Sequence, residues 1–170
     1  MHNKAQVLAS RKQKDEFFKQ HPQSPLDPAK RANFDGLTYY DYNPALALTV
    51  TVNAFEEKKP VPIQTTTGEG RIYHRFGEFT FDVNGEKARL TIFEAPHGYF
   101  LPFVDSNAGK ETYPAGRYLD LEANDDGTFD VDFNLAYAPF CAYSDEYSCP
   151  ITPAENRLTV AIRAGEMSVK

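Results

Sequence analysis

Between Leu101 and Leu158 the chain concentrates carboxylates, amides, phenols, a guanidinium and both of its thiols. The stretch begins LPFVDSNAGKETYPAGRYLDLE and ends DVDFNLAYAPFCAYSDEYSCPITPAENRL. Prolines stiffen its backbone and aromatic rings keep its polar groups apart, which is how a shaped site is built. Arg117 is suited to an anionic or polar ligand group, and Asn134 and Asn156 to hydrogen bonds. Tyr113, Tyr137 and Tyr143 supply aromatic walls, with Asp105 and Glu111 completing a polar lining. Aromatic walls with a few convergent polar groups are what small-molecule sites use. On this reading Arg117→Ala abolishes binding and leaves the fold intact. The plainer reading is that the tyrosines pack the long 134–156 loop onto a sheet.

Other chemistries are open to the same residues. Asp132 and Glu155 form a carboxylate pair for acid–base work. Cys141 and Cys149, with His97 or His74, could hold zinc, although seven residues separate the cysteines where a zinc knuckle has two to four. The same cysteines could instead close a short disulfide loop or pack as buried thiols. Cys141 and His97 are also a conceivable nucleophile–base pair. Asp120, Glu122, Asp130 and Asp132 alternate onto one strand face, where they would attract calcium or stand as a solvated surface. No G-x-S-x-G elbow is present, and GKETYPAG lacks the Walker A pattern. No motif requires a cofactor; zinc and calcium are the ions the residues would accept.

These residues need elements to position them. Residues 3 to about 20 are rich in Lys, Gln, Glu and Ala and read as one helix, capped by Asn3 and stopped by Pro22. Its apolar residues lie near its ends, so it packs by its ends or acts as a lid. Residues 1–22 are therefore an N-terminal helical segment and 23–170 a single β domain. From Leu37 onward, short β-type runs recur: LTYYDY, ALALTVTVNAF, RIYHRF, GEFTFDV, KARLTIFEA, YFLPFV, RYLDLE, TFDVDFN and LTVAIR. Asn84-Gly85 suits a two-residue type I′ turn. It sets Phe81 opposite Ala88, Phe79 opposite Leu90, Asp82 opposite Lys87 and Thr80 opposite Arg89. A second hairpin is expected between RYLDLE and TFDVDFN, with Leu119, Leu121, Phe129, Val131 and Phe133 on its core face. The fold class is all-β, an antiparallel sandwich or barrel with one N-terminal α-helix.

The chain has 170 residues, 41% of them hydrophobic, which suffices for one packed domain. A net charge of −6 argues against non-specific nucleic-acid binding. No apolar run reaches the length of a membrane span, and MHNKAQVLASRKQKDEFF lacks the apolar region of a secretory signal. A cytoplasmic location with reduced thiols follows as the expectation.

The motifs PFVDSNAGKETYPAGRYLDL, DFNLAYAPFCAY, CPITPAENRL and IRAGE, with upstream SPL and FDGLTYY, resemble an uncharacterised bacterial and archaeal family, domain-of-unknown-function family 1684. The resemblance spans about Ser24 to Glu166. Ala108 stands where the family favours Ser, Ala138 where it favours Asn, and Thr152 and Ala154 where it favours Pro. The resemblance implies a shared fold and a shared site, and it carries no activity. Thr112, Asp120 and the candidate residues above, apart from His74, His97, Glu122 and Asp130, match its polar pattern. The expected function is a small-ligand-binding β domain, the alternatives being a metal-dependent hydrolase and a structural or protein-interaction module.

Overall fold

The computed structural model describes residues 3–168. The first element is the expected helix, α1 (Lys4–Gln20). Asn3 caps it through a reciprocal capping box with Gln6, satisfying two amides that the first turn leaves without partners. Val7, Arg11, Lys14 and Phe18 follow the i, i+4, i+7, i+11 spacing of one helix face. Val7 and Phe18 are fully buried and each contributes about 2 kcal/mol of apolar burial. Between them Arg11 donates to the Tyr40 carbonyl at 2.9 Å, and Lys14 meets the Glu166 carboxylate at 2.6 Å. The helix thus docks by apolar ends and a cationic middle. A short helix, α2 (Pro28–Ala32), follows, capped by Asp27.

Eight strands and four short 3₁₀ helices make up the rest of the regular structure among the described residues; the strands are β1 (Ala47–Val50), β2 (Asn53–Ala54), β3 (Pro60–Gln64), β4 (Gly70–Val83), β5 (Glu86–Ala95), β6 (Gly98–Phe103), β7 (Arg117–Leu121) and β8 (Phe129–Asp132). The pairings are antiparallel. The larger sheet runs β2-β4-β5-β6-β7 with β3 also on β4, and β1 and β8 form a second, two-stranded sheet. The sheets do not close into a barrel. Their facing sides enclose the main core, which includes Phe79, Leu90, Leu101, Leu119, Val131 and Phe133. A second apolar cluster on the outer face of the large sheet joins Ile63, Tyr73, Phe93, Phe100 and Tyr118.

The β4–β5 hairpin has the expected register, residue for residue. Asn84 and Gly85 both take positive φ, 51° and 85°, as a type I′ turn demands. RIYHRF and GEFTFDV are one strand rather than two, bent where the register shifts between Arg75 and Gly77. A Cβ on Gly77 would lie 2.8 Å from the Asn53 carbonyl oxygen, so only glycine lets β2 approach here.

Three expectations are corrected. LTYYDY is not a strand; it contributes an isolated bridge from Tyr39 to Glu166. LTVAIR is likewise irregular, held by Leu158 and Ser106 amides donating to Val104 and Val160 carbonyls. RYLDLE and TFDVDFN do not pair as a hairpin. They share a tight turn, where the Asn124 amide donates to the Thr128 carbonyl at 2.7 Å. Then they splay, β7 joining β6 and β8 joining β1. All five expected core residues are nevertheless buried, because each sheet turns its apolar side to the same core. The strand β3 went unread because Pro60 and Pro62 punctuate it. A strand paired on one side tolerates prolines whose missing N–H would face outward.

Candidate functional site

The splayed strands leave an open cleft of about 1380 Å³ on the outer face of the large sheet, along the end of β7. β7 is the last strand of that sheet. Its outer edge is covered at Tyr118, which exchanges two backbone hydrogen bonds with Tyr137 at 2.8 and 3.1 Å. Alternation along β7 and on to Glu122 sends Leu119 and Leu121 toward the core and Tyr118, Asp120 and Glu122 to the opposite side, and all five line the cleft. Pro150 and Tyr137 from the 134–156 loop, with Asp130 and Asp132 of β8, complete that side.

Four rings form a continuous ladder along the cleft. Tyr73 lies 5.5 Å from Phe100, Phe100 lies 4.9 Å from Tyr118, and Tyr118 lies 5.8 Å from Tyr137, the last two contacts edge to face. These spacings are those of attractive aromatic pairs. The Tyr118 hydroxyl donates to the Pro150 carbonyl, tying the loop to the sheet. The Tyr137 hydroxyl donates to Asp120 Oδ2 at 2.7 Å, which fixes that carboxylate at the cleft. Burial, and then the Asp120 charge, raise the Tyr137 phenol well above the ordinary tyrosine value, so it remains a donor at any physiological pH.

Asp132 sits deeper. It is 4% exposed, and its Oδ1 accepts from the Asn134 amide at 3.0 Å and the Asn134 side chain at 2.9 Å. Its Oδ2 accepts no hydrogen bond from the described residues. Arg11 exerts a favourable charge interaction on Asp132, but its own terminal nitrogens are directed to the Tyr40 and Asn134 carbonyls.

Several residues expected at the site lie outside the cleft lining. Arg117 is 1% exposed and is absent from the cleft lining. Its Nη1 donates to the carbonyls of Ala164 and Glu166, and its Nη2 to the Ile162 carbonyl and to Asp105. Asp105 is buried too and accepts from the Ile162 amide at 2.7 Å. Burial lowers the Arg117 value, and the Asp105 charge opposes that. Arg117 therefore clamps the 162–166 segment onto β7.

Asn156 is fully buried. Its side chain accepts from the Thr91 amide at 2.9 Å and donates to the Thr91 and Pro102 carbonyls, each at 2.8 Å. Asn134 exchanges hydrogen bonds with the Asn43 backbone at 2.8 and 2.9 Å. Glu111 is exposed and accepts from the Tyr40 hydroxyl. Tyr113 joins the cluster around Phe18 and Tyr143, and Tyr143 lines a smaller cavity of about 620 Å³ beside α2. Of the ligand set, Tyr137 alone lines the larger cleft.

The catalytic and metal sets are not assembled. Asp132 lines the cleft, whereas Glu155 lies outside it and pairs with Arg75 at 2.8 Å and the Thr91 hydroxyl at 2.7 Å. Cys141 and Cys149 form a disulfide, one of the states open to them, and in that state neither is available as a thiolate ligand. His97 stands apart from them, on the cleft lining. Among the described residues no group of three or more His, Cys, Asp and Glu side chains could hold one metal ion. The acidic face does lie together, since Asp120, Glu122, Asp130 and Asp132 all line the cleft, but dispersed along it.

Tyr73, Tyr99 and Phe100 were missed as lining residues. Strand register carries the signal that would have found them, because the β6–β7 pairing sets Phe100 opposite Asp120. No helix among the described residues is long and apolar enough to cross a membrane.

A family model described as a protein of unknown function, DUF1684, matches residues 32–167. The solution NMR structure of an uncharacterized protein from Haloarcula marismortui is similar, with 38% identity, 96% of this chain and 92% of that chain covered, and a TM-score of 0.71. No curated protein matches the chain.

Proposed function

We infer a function from one premise, that the chain belongs to the DUF1684 family of proteins of unknown function, and propose that it is a small-ligand-binding β domain. The binding site is the cleft along β7. The observation that carries the proposal is the four-ring ladder of Tyr73, Phe100, Tyr118 and Tyr137 lining a cleft of about 1380 Å³. Tyr73, Phe100 and Tyr118, 6–9% exposed, hold the half-buried Tyr137 in place, so the wall a ligand meets is preorganised. Asp120, Glu122 and Asn124 stand beside them as polar groups to orient it. The ligand role first assigned to Arg117 passes to these residues.

A fragment library screened by ligand-detected NMR tests the proposal. Binders are expected with the natural chain and not with Ala123→Trp, which places an indole on an exposed position of the cleft lining. Equal binding to both proteins would place the site elsewhere.

The proposal keeps the cytoplasm as its location, and the disulfide makes that checkable. A reducing compartment keeps such pairs as thiols. Trapping thiols in intact cells is therefore expected to find Cys141 and Cys149 modified, and protection of both would move the protein to an oxidising compartment.

A further inference from the structure

We propose that Cys141 and Cys149 are a reversible thiol–disulfide exchange site, in which a low-molecular-weight thiol attacks Cys141. The proposal goes beyond ligand binding in the cleft and stands without it.

The two sulfurs differ in access. Cys141 is partly exposed and lines the cavity of about 620 Å³ beside α2. Cys149 is 8% exposed and lies outside that lining. Access decides which sulfur of a disulfide is attacked, so an incoming thiolate meets Cys141, and Cys149 is the leaving group.

The surroundings of Cys141 serve both redox states. The Tyr147 carbonyl has two neighbours able to donate to it, the Cys141 sulfur at 3.0 Å and the Thr66 hydroxyl at 3.2 Å. A disulfide sulfur carries no proton, so in the oxidised state the Thr66 hydroxyl serves the carbonyl. In the dithiol the Cys141 S–H donates to it, and the Thr66 hydroxyl, 3.3 Å from that sulfur, turns to the sulfur. Rotating one hydroxyl satisfies either state with the backbone in place.

The loop is also held without the sulfur–sulfur bond. The Thr66 amide donates to the Cys149 carbonyl at 3.0 Å, and its hydroxyl accepts from the Cys149 amide at 3.1 Å. The Ile151 amide donates to the Gln64 carbonyl at 2.8 Å, and Tyr143 packs edge to face on Phe18. Reduction removes the cross-link and leaves both cysteines docked, their Cα atoms 6.4 Å apart, within the span a disulfide bridges.

In the first step a thiolate R–S⁻ bonds to Cys141 Sγ and the Cys141–Cys149 bond breaks. The electron pair leaves on Cys149 Sγ, which takes up a proton. A second thiolate then attacks the R sulfur of the mixed disulfide, releasing R–S–S–R and the Cys141 thiolate, which is protonated. Two R–SH are oxidised to one R–S–S–R, and the protein disulfide is reduced to two thiols. The reverse reaction closes the pair, so it follows the ratio of small disulfide to small thiol around it.

The full chain equilibrated with 2-mercaptoethanol and its disulfide at graded ratios, blocked with iodoacetamide and weighed intact, tests this. One transition between zero and two blocked cysteines is expected, the same from either direction, with a native amide NMR spectrum at both ends. With limiting iodoacetamide on the reduced chain, the Cys141 peptide is expected to be modified roughly tenfold faster than the Cys149 peptide.

A disulfide that resists every ratio until urea unfolds the chain overturns the proposal. So does a chain that unfolds on reduction, or one whose thiols never join in the presence of the small disulfide. Cys149 reacting as fast as Cys141 overturns the assignment of Cys141 as the attacked sulfur.

Discussion

The Asn156 side chain fills the gap between Thr91 of β5 and Pro102 of β6 as a peptide group would, with Thr91 and Pro102 carbonyls each 2.8 Å from its Nδ2. The β5–β6 register pairs Phe93 with Phe100, and continuing it two steps sets Thr91 against Pro102. Proline has no N–H to offer Thr91, and the ladder opens there. Asn156 restores the missing bonds from a different part of the chain, and its own carbonyl accepts from the Val104 amide at 3.1 Å.

Asn156→Ala would strand the Thr91 amide and two carbonyls in a site with no solvent access. Each buried orphan costs about 1–3 kcal/mol, so a loss of about 3 kcal/mol or more is expected in urea unfolding. A loss below about 1 kcal/mol would mean that β5 and β6 close without the amide.

Asp105 and Arg117 form a second buried clamp, 3.4 Å apart with 1% of each side chain exposed. Arg117→Ala leaves Asp105 and three carbonyls without their donor. Breaking such a pair from one side costs roughly 3–5 kcal/mol. The same variant would leave ligand affinity of any remaining folded protein unchanged, since Arg117 does not line the cleft. A stable Arg117→Ala protein that has lost its ligand would return Arg117 to the binding set.

These two residues show what was legible in the sequence. Their polarity and setting in a dense motif drew attention to them, but polarity reports a special environment and not which one. A buried guanidinium under carbonyls and an exposed one in a groove are the same letter. The β4–β5 hairpin was fully readable because Asn84-Gly85 fixes a register and the apolar face agrees with it. The β7–β8 turn was read correctly but the pairing was not. Alternation shows which side chains face a core, and Leu119 and Val131 face the same core from different sheets. The cleft arises from that splay, so its lining became visible only with the tertiary fold.

The Cys141–Cys149 disulfide closes a loop with a sequence separation of 8. Loop-closure entropy for so short a span gives about 2–3 kcal/mol. Cys141→Ser/Cys149→Ser is expected to melt roughly 5–10 °C lower, with no further drop when reductant is added. Equal melting temperatures for the two proteins without reductant would show that the disulfide does not form in solution.

Glu166 supplies a pH signature. It is 1% exposed and paired with Lys14 at 2.6 Å. Burial raises its carboxyl above the ordinary 4.5, against the pull of Lys14. A raised folded value means that the folded state holds a proton the unfolded chain has released. The contribution of Glu166 to stability therefore falls as pH rises from 4.5 through the folded value. Subtracting the Glu166→Gln stability profile from that of the natural protein is expected to leave this downward slope. Glu155 acts in the opposite sense. Burial pushes it up, yet hydrogen bonds from Arg75 and Thr91 bring it below its ordinary value. Its contribution is present above 4.5 and is lost as pH falls through the folded value.

The most direct measurement on the central claim is a protein-detected NMR titration that maps bound fragments onto assigned backbone amides. Shifts are predicted at residues 118–124 of β7 and its turn and 130–137 of β8 and the following loop, saturating together with one affinity. Shifts gathered instead around the smaller cavity beside α2, at Tyr143 to Tyr147, would contradict the assignment of the cleft as the site.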